Sequence, residues 1–73
     1  MLEKRSLNLL GHRTSVALEP EFWAALEAAA DARGMTLPAL VAEQDAARAE
    51  TGAPLASHLR VYALRAARGA AGR

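Results

Sequence analysis

Arg13-Thr14-Ser15-Val16-Ala17-Leu18-Glu19-Pro20-Glu21-Phe22 is the stretch on which the fold turns. Up to Leu18 it alternates, with Arg13, Ser15 and Ala17 on one side and Thr14, Val16 and Leu18 on the other. Period-two alternation marks a strand with one buried face. Pro20 then opens a helix, because a proline at the first helical position lacks only an N–H that would have no partner anyway. Glu19 and Glu21 place negative charge at the positive end of that helix. The stretch predicts a strand that runs directly into a helix.

Downstream, Phe22, Trp23, Leu26, Ala29, Ala30 and Arg33 follow at helical spacing, and Gly34 is a natural residue to end the helix. Thr36 suits the N-cap of a second helix with Pro38 in its first turn. Leu37, Leu40, Val41 and Gln44 share one face, and the pattern continues to about Glu50. Thr51-Gly52-Ala53-Pro54 breaks it. A third helix is expected from Leu55 to about Arg68, with Leu55, Leu59, Tyr62 and Ala66 inward and Arg60, Arg65 and Arg68 mostly outward. Residues 1–68 then form one domain, and residues 69–73 a frayed, disordered tail. Upstream, Ser6 to Leu10 also reads as a strand, separated from the next by Gly11-His12. A two-residue hairpin and a bulge in one longer strand both fit that separation.

The chain has 73 residues and no cysteine, so disulfides and thiolate metal sites are excluded. Its two histidines, His12 and His58, make no ligand spacing, and neither a metal nor a cofactor is expected. No apolar run approaches the roughly 18 residues of a membrane span. Without a signal-peptide core, a cytoplasmic location is expected. Chains below roughly 70–80 residues usually need a staple or a partner subunit, which points to oligomerisation.

Charge is segregated. Residues 1–18 carry Lys4, Arg5 and Arg13 against Glu3, residues 19–50 two arginines against seven carboxylates, and residues 51–73 four arginines and no carboxylate. Basic ends around an acidic middle suit a nucleic-acid surface on one face, and equally a solvated helix with a basic tail.

A lone strand followed by two helices cannot close a core. Antiparallel pairing with the same strand of a second chain covers both its edge and its apolar face. The shared core of such a homodimer is expected to comprise Val16, Leu18, Phe22, Trp23, Leu26, Leu37, Leu40 and Val41.

Arg13 to Phe22, followed by Arg33-Gly34-Met35-Thr36-Leu37 and then Leu40-Val41, resembles a ribbon-helix-helix (MetJ/Arc-like) transcription factor. More narrowly, Gly11-His12-Arg13-Thr14-Ser15, Phe22-Trp23, Asp45-Ala46-Ala47-Arg48 and Ser57-His58-Leu59-Arg60-Val61 resemble a family of short bacterial ribbon-helix-helix proteins classed as DNA-binding. The resemblance spans about residues 4–65. It implies a mainly α dimer with a short N-terminal β-ribbon and an additional C-terminal third helix. It also implies that an intermolecular two-stranded ribbon enters the major groove of double-stranded DNA. Arg13, Ser15 and Ala17 would face the bases. Alanine departs from the family's usual polar residue at that place and offers at most contact with a thymine methyl. Backbone N–H groups around Thr36 and Leu37 would clamp a phosphate, with Pro38 removing one donor. Lys4 and Arg5 would reach flanking phosphates, and His12 is either a turn histidine or a partner of a phosphate or of Asp45. The family's polar residues matching Asp45, Arg48, Ser57 and Arg60 imply a network tying the third helix to the first two.

The expected function is transcriptional regulation by sequence-specific DNA binding. The alternative is a protein-interaction module, antitoxin-like or an adaptor, that holds a protein partner on the third helix. An enzyme is not expected. Ser15, His12 and Asp45 are triad-like in type, but a chain this small has little room for a pocket and an oxyanion hole.

Overall fold

The computed structural model describes residues 1–71. Two strands, β1 (Glu3–Leu9) and β2 (His12–Leu18), pair antiparallel, and three helices follow: α1 (Pro20–Ala32), α2 (Leu37–Ala49) and α3 (Leu55–Ala71). The register sets Glu3 opposite Leu18, Arg5 opposite Val16, Leu7 opposite Thr14 and Leu9 opposite His12. Residues opposite one another share a face, so Leu7, Leu9, Val16 and Leu18 all turn inward, and all four are buried.

The ribbon expected between two chains is therefore closed within one. The connecting turn is Leu10-Gly11, one residue earlier than the break at Gly11-His12, with φ of 52° and 92°. Two positive φ values in a two-residue loop define the turn whose twist matches a hairpin. Glycine adopts this freely, whereas an L-residue with a Cβ meets a steric cost of about 1–2 kcal/mol.

Closure of the ribbon completes the core. Trp23, Leu26 and Ala30 of α1, Leu40 and Val41 of α2, and Leu59 and Ala63 of α3 are buried against it, with Phe22, Leu37, Leu55 and Tyr62 half-buried at the margin. Of the residues assigned above to a dimer core, Val16, Leu18, Trp23, Leu26, Leu40 and Val41 lie in the core of a single chain, and Phe22 and Leu37 pack at its margin. β1 occupies the place beside β2 that a second chain was expected to fill, and α3 supplies the remaining apolar surface.

The helix ends follow the local sequence. Gly34, at φ 67°, lets the Met35 and Gly34 N–H groups donate to the Ala30 and Asp31 carbonyls at 2.9 and 3.1 Å, which seals the end of α1. The Thr36 hydroxyl accepts from the Ala39 N–H at 3.2 Å and caps α2. α3 runs three residues past its expected end, through Gly69 to Ala71, in a segment rich in alanine, the best helix former. Gly72 and Arg73, the rest of the expected tail, lie outside the described residues.

Side-chain pairs bind α3 to the other helices. Arg60, half-buried, donates to Glu19 at 3.0 Å and lies 6.0 Å from the Phe22 ring centroid. Arg33 forks onto Glu43 at 2.6 and 2.8 Å and also reaches the Tyr62 hydroxyl at 3.2 Å. His58 Nε2 stands 2.8 Å from the Gln44 side-chain oxygen. Arg48 donates to Asp45 at 2.7 Å and to the Ala53 carbonyl at 3.3 Å, which ties down the α2–α3 turn. Ser57 is exposed. The network reaches α3 through Arg60, as expected, and through Arg33 with Tyr62 and Gln44 with His58, not through Asp45 and Ser57.

Two of these pairs predict a pH dependence. The Glu19 carboxyl is held below its usual value by its own backbone N–H and by Arg60, and the Glu43 carboxyl by Arg33. A carboxyl whose folded pKa is depressed adds stability above its unfolded pKa and loses it as the pH falls through the folded value. The thermal midpoint is expected to drop between about pH 5 and pH 3. The double variant Glu19→Gln, Glu43→Gln should flatten that slope in circular-dichroism melts, and equal slopes would show that the pairs contribute nothing.

Candidate nucleic-acid interface

The inward face of the ribbon is apolar, and its outward face is of a different kind. Its rungs are Lys4 opposite Ala17, Ser6 opposite Ser15, and Asn8 opposite Arg13. All are exposed except Ala17, which is half-buried. No carboxylate lies among them. The Arg13 guanidinium approaches the Ser6 hydroxyl at 3.5 Å, too long to hold it, so its planar fork is free to meet a ligand. Serine and asparagine can each donate and accept, and arginine offers paired donors. Two strands about 5 Å apart fit a major groove about 12 Å wide.

β1 thus contributes half of this face. The sequence reading placed only Arg13, Ser15 and Ala17 on it and missed Ser6 and Asn8. The signal was present: Leu7 and Leu9 alternate with Ser6 and Asn8 as Val16 and Leu18 alternate with Ser15 and Ala17. Lys4, read as a flanking phosphate contact, stands on the same face beside Ala17.

Arg5 is placed otherwise. It lies on the inward side of the ribbon, where it donates to Glu3 and, at 2.9 Å, to Glu27, and its guanidinium stacks 4.8 Å from the Trp23 ring centroid. Those two carboxylates raise its pKa further and neutralise its charge. Arg5 therefore serves as a cover over Trp23 and is not free for a flanking phosphate.

His12 is exposed on the rung next to the turn. Asp45, one of its considered partners, is engaged by Arg48 instead. The register also sets His12 and Ser15 on opposite faces of the ribbon, so the triad-like residue types do not converge. At the start of α2, the Thr36 hydroxyl is occupied as a cap and Leu37 is half-buried. The shallow groove there is also lined by Glu27 and Asp31, whose carboxylates oppose a phosphate.

Elsewhere, α3 presents Val61 and Leu64 at 48% and 52% exposure, beside exposed Arg65 and Arg68. An alanine-lined groove of about 260 Å³ runs between α1 and α3 and ends at Arg33 and Tyr62. Arg33 is already bidentate to Glu43, which leaves that groove no free charge.

Among known proteins, a family model described as a ribbon-helix-helix domain matches residues 2–67. No curated protein and no solved structure matches the chain.

Proposed function

The chain belongs to the ribbon-helix-helix family, whose members are typically non-enzymatic, DNA-binding regulators of transcription, and from that premise we propose that it reads duplex DNA with the outer face of its hairpin. The observation that carries this reading is the face itself: Lys4, Ser6, Asn8, Arg13 and Ser15, exposed together without a carboxylate. Arg13 and Asn8 meet base edges, Ser6 and Ser15 donate or accept beside them, and Lys4 meets a phosphate. Ala17 contributes a thymine-methyl contact at most.

Family members typically bind as dimers, and two copies of this chain on a palindromic site fit that habit. The backbone of Thr36 and Leu37 can still touch a phosphate, but Glu27 and Asp31 nearby weaken that contact. His12, beside the turn, can reach a phosphate of the groove wall.

The test is a titration of pooled random duplexes at two salt concentrations. Binding is expected at low salt and should weaken as salt rises, because each neutralised phosphate releases counterions with a slope of about −0.9 per contact. Absence of any affinity at low salt would sink the reading. The exposure of Val61 and Leu64 beside Arg65 and Arg68 favours the second reading, a protein partner held on α3, and that negative result would direct the search there.

A further inference from the structure

The apex of the ribbon has a feature the hairpin does not need. Leu10 sits there with φ 52° and 87% of its surface exposed, so its side chain gains nothing from the core. The two-residue turn requires left-handed backbone at this position, which asparagine or glycine adopts without leucine's steric clash. Among the described residues nothing packs on the leucine to offset its strain.

The surroundings of the apex indicate what covers it. From Lys4 to Leu18 the ribbon carries no carboxylate, and its outer face carries Lys4 and Arg13, while Arg5 is paired inward. The rung next to the turn, Leu9 with His12, belongs to the inward face, and the next, Asn8 with Arg13, is the end of the polar, cationic face, two residues from Leu10 along β1. An apolar side chain at the end of such a ribbon suits a polyanion that displays an apolar group inside its groove. In the major groove of DNA that group is the C5-methyl of thymine.

We propose that Leu10 is a thymine-methyl contact, packing against a base pair just beyond the one that Arg13 meets. The proposal rests on the DNA-binding reading above and adds to it a base preference and the residue responsible. The turn holds the side chain clear of the protein, so contact with the methyl orders no further chain.

The experiment uses duplexes enriched from a random pool by the wild-type protein. Each is made once with thymine and once with uracil, which lacks only the methyl. Wild type is expected to bind the uracil duplex about fourfold more weakly, the worth of one buried methyl group. Leu10→Asn and Leu10→Gly should bind the thymine duplex about fourfold more weakly than wild type and should not distinguish the two duplexes. Their salt slopes should match wild type, because no phosphate contact is lost. Both variants should melt at or above the wild-type temperature, which separates a lost contact from a lost fold. If the variants keep the wild-type thymine-to-uracil ratio, the methyl is read elsewhere, by Ala17 for example, and the proposal is wrong. It is equally wrong if wild type shows no preference, or if the variants change only self-association in sedimentation. Failure of wild type to bind any duplex at low salt removes the DNA-binding reading itself, an outcome distinct from these.

Discussion

Replacing Trp23 with alanine is expected to lower the thermal midpoint by roughly 15–30 °C. The ring is fully buried beneath the ribbon, and its Nε1–H donates to the Glu3 carbonyl at 2.8 Å. It both fills the core and fastens the start of β1 to α1. Truncating a buried tryptophan costs about 3–5 kcal/mol, and the lost hydrogen bond leaves the Glu3 carbonyl without that partner. For a domain of this size each kcal/mol is worth about 4–8 °C. Arg5 also loses the surface it stacks on, which leaves its pairs with Glu3 and Glu27 to hold it alone. Circular-dichroism melts of Trp23→Ala and Trp23→Phe check this. Phenylalanine keeps most of the apolar contact but not the donor, so its loss should be a fraction of alanine's. A Trp23→Ala protein that melts within a few degrees of wild type would mean that the single-chain core is not the one the protein uses.

Arg13→Ala carries the largest expected effect on binding. A guanidinium forked onto a guanine edge is worth about 1–3 kcal/mol of discrimination. Loss of that contact should weaken binding to an enriched site by roughly 5- to 150-fold while leaving affinity for random duplex far less changed. Arg13→Lys should not restore the preference, because an ammonium cannot make the planar two-donor contact. Arg13 is exposed and among the described residues makes only the 3.5 Å approach to Ser6, so both variants should melt as wild type does. Competition binding between an enriched duplex and random duplex measures the ratio directly. If Arg13→Ala keeps the wild-type ratio, the outer face of the ribbon is not the reading surface.

The two predictions test different faces of one hairpin, and they were not equally legible from the chain. The alternation of Thr14, Val16 and Leu18 against Arg13, Ser15 and Ala17 assigns β2 its faces without any structure. The same rule applied to β1 is obscured by Arg5 and Glu3, charged residues at inward positions. They are tolerated there only because they pair with each other and because Glu27 and Trp23 cover the guanidinium. Those partners lie some twenty residues away, so no local pattern reveals them. The alternation of Ser6 and Asn8 with Leu7 and Leu9 is local and legible, whereas the inward place of Arg5 beside Trp23 is not.

Elements whose causes are local were determined by the sequence alone. Pro20 starts α1, Gly34 ends it, Thr36 caps α2, and the helical spacing of Trp23, Leu26, Ala30, Leu40, Val41 and Leu59 selects the buried faces. Caps and periodicities act within a turn or two of backbone, so their chemistry is written in adjacent residues. Which strand pairs with β2 was decided only by the tertiary structure. A strand supplies the same hydrogen-bonding edge to a second chain as to its own, and Leu10-Gly11 is a poor advertisement for the turn it makes. The choice fell to β1 because Leu7 and Leu9, once folded over, join Trp23, Leu40 and Leu59 in one buried cluster, a gain from residues far apart in the sequence that no local pattern displays.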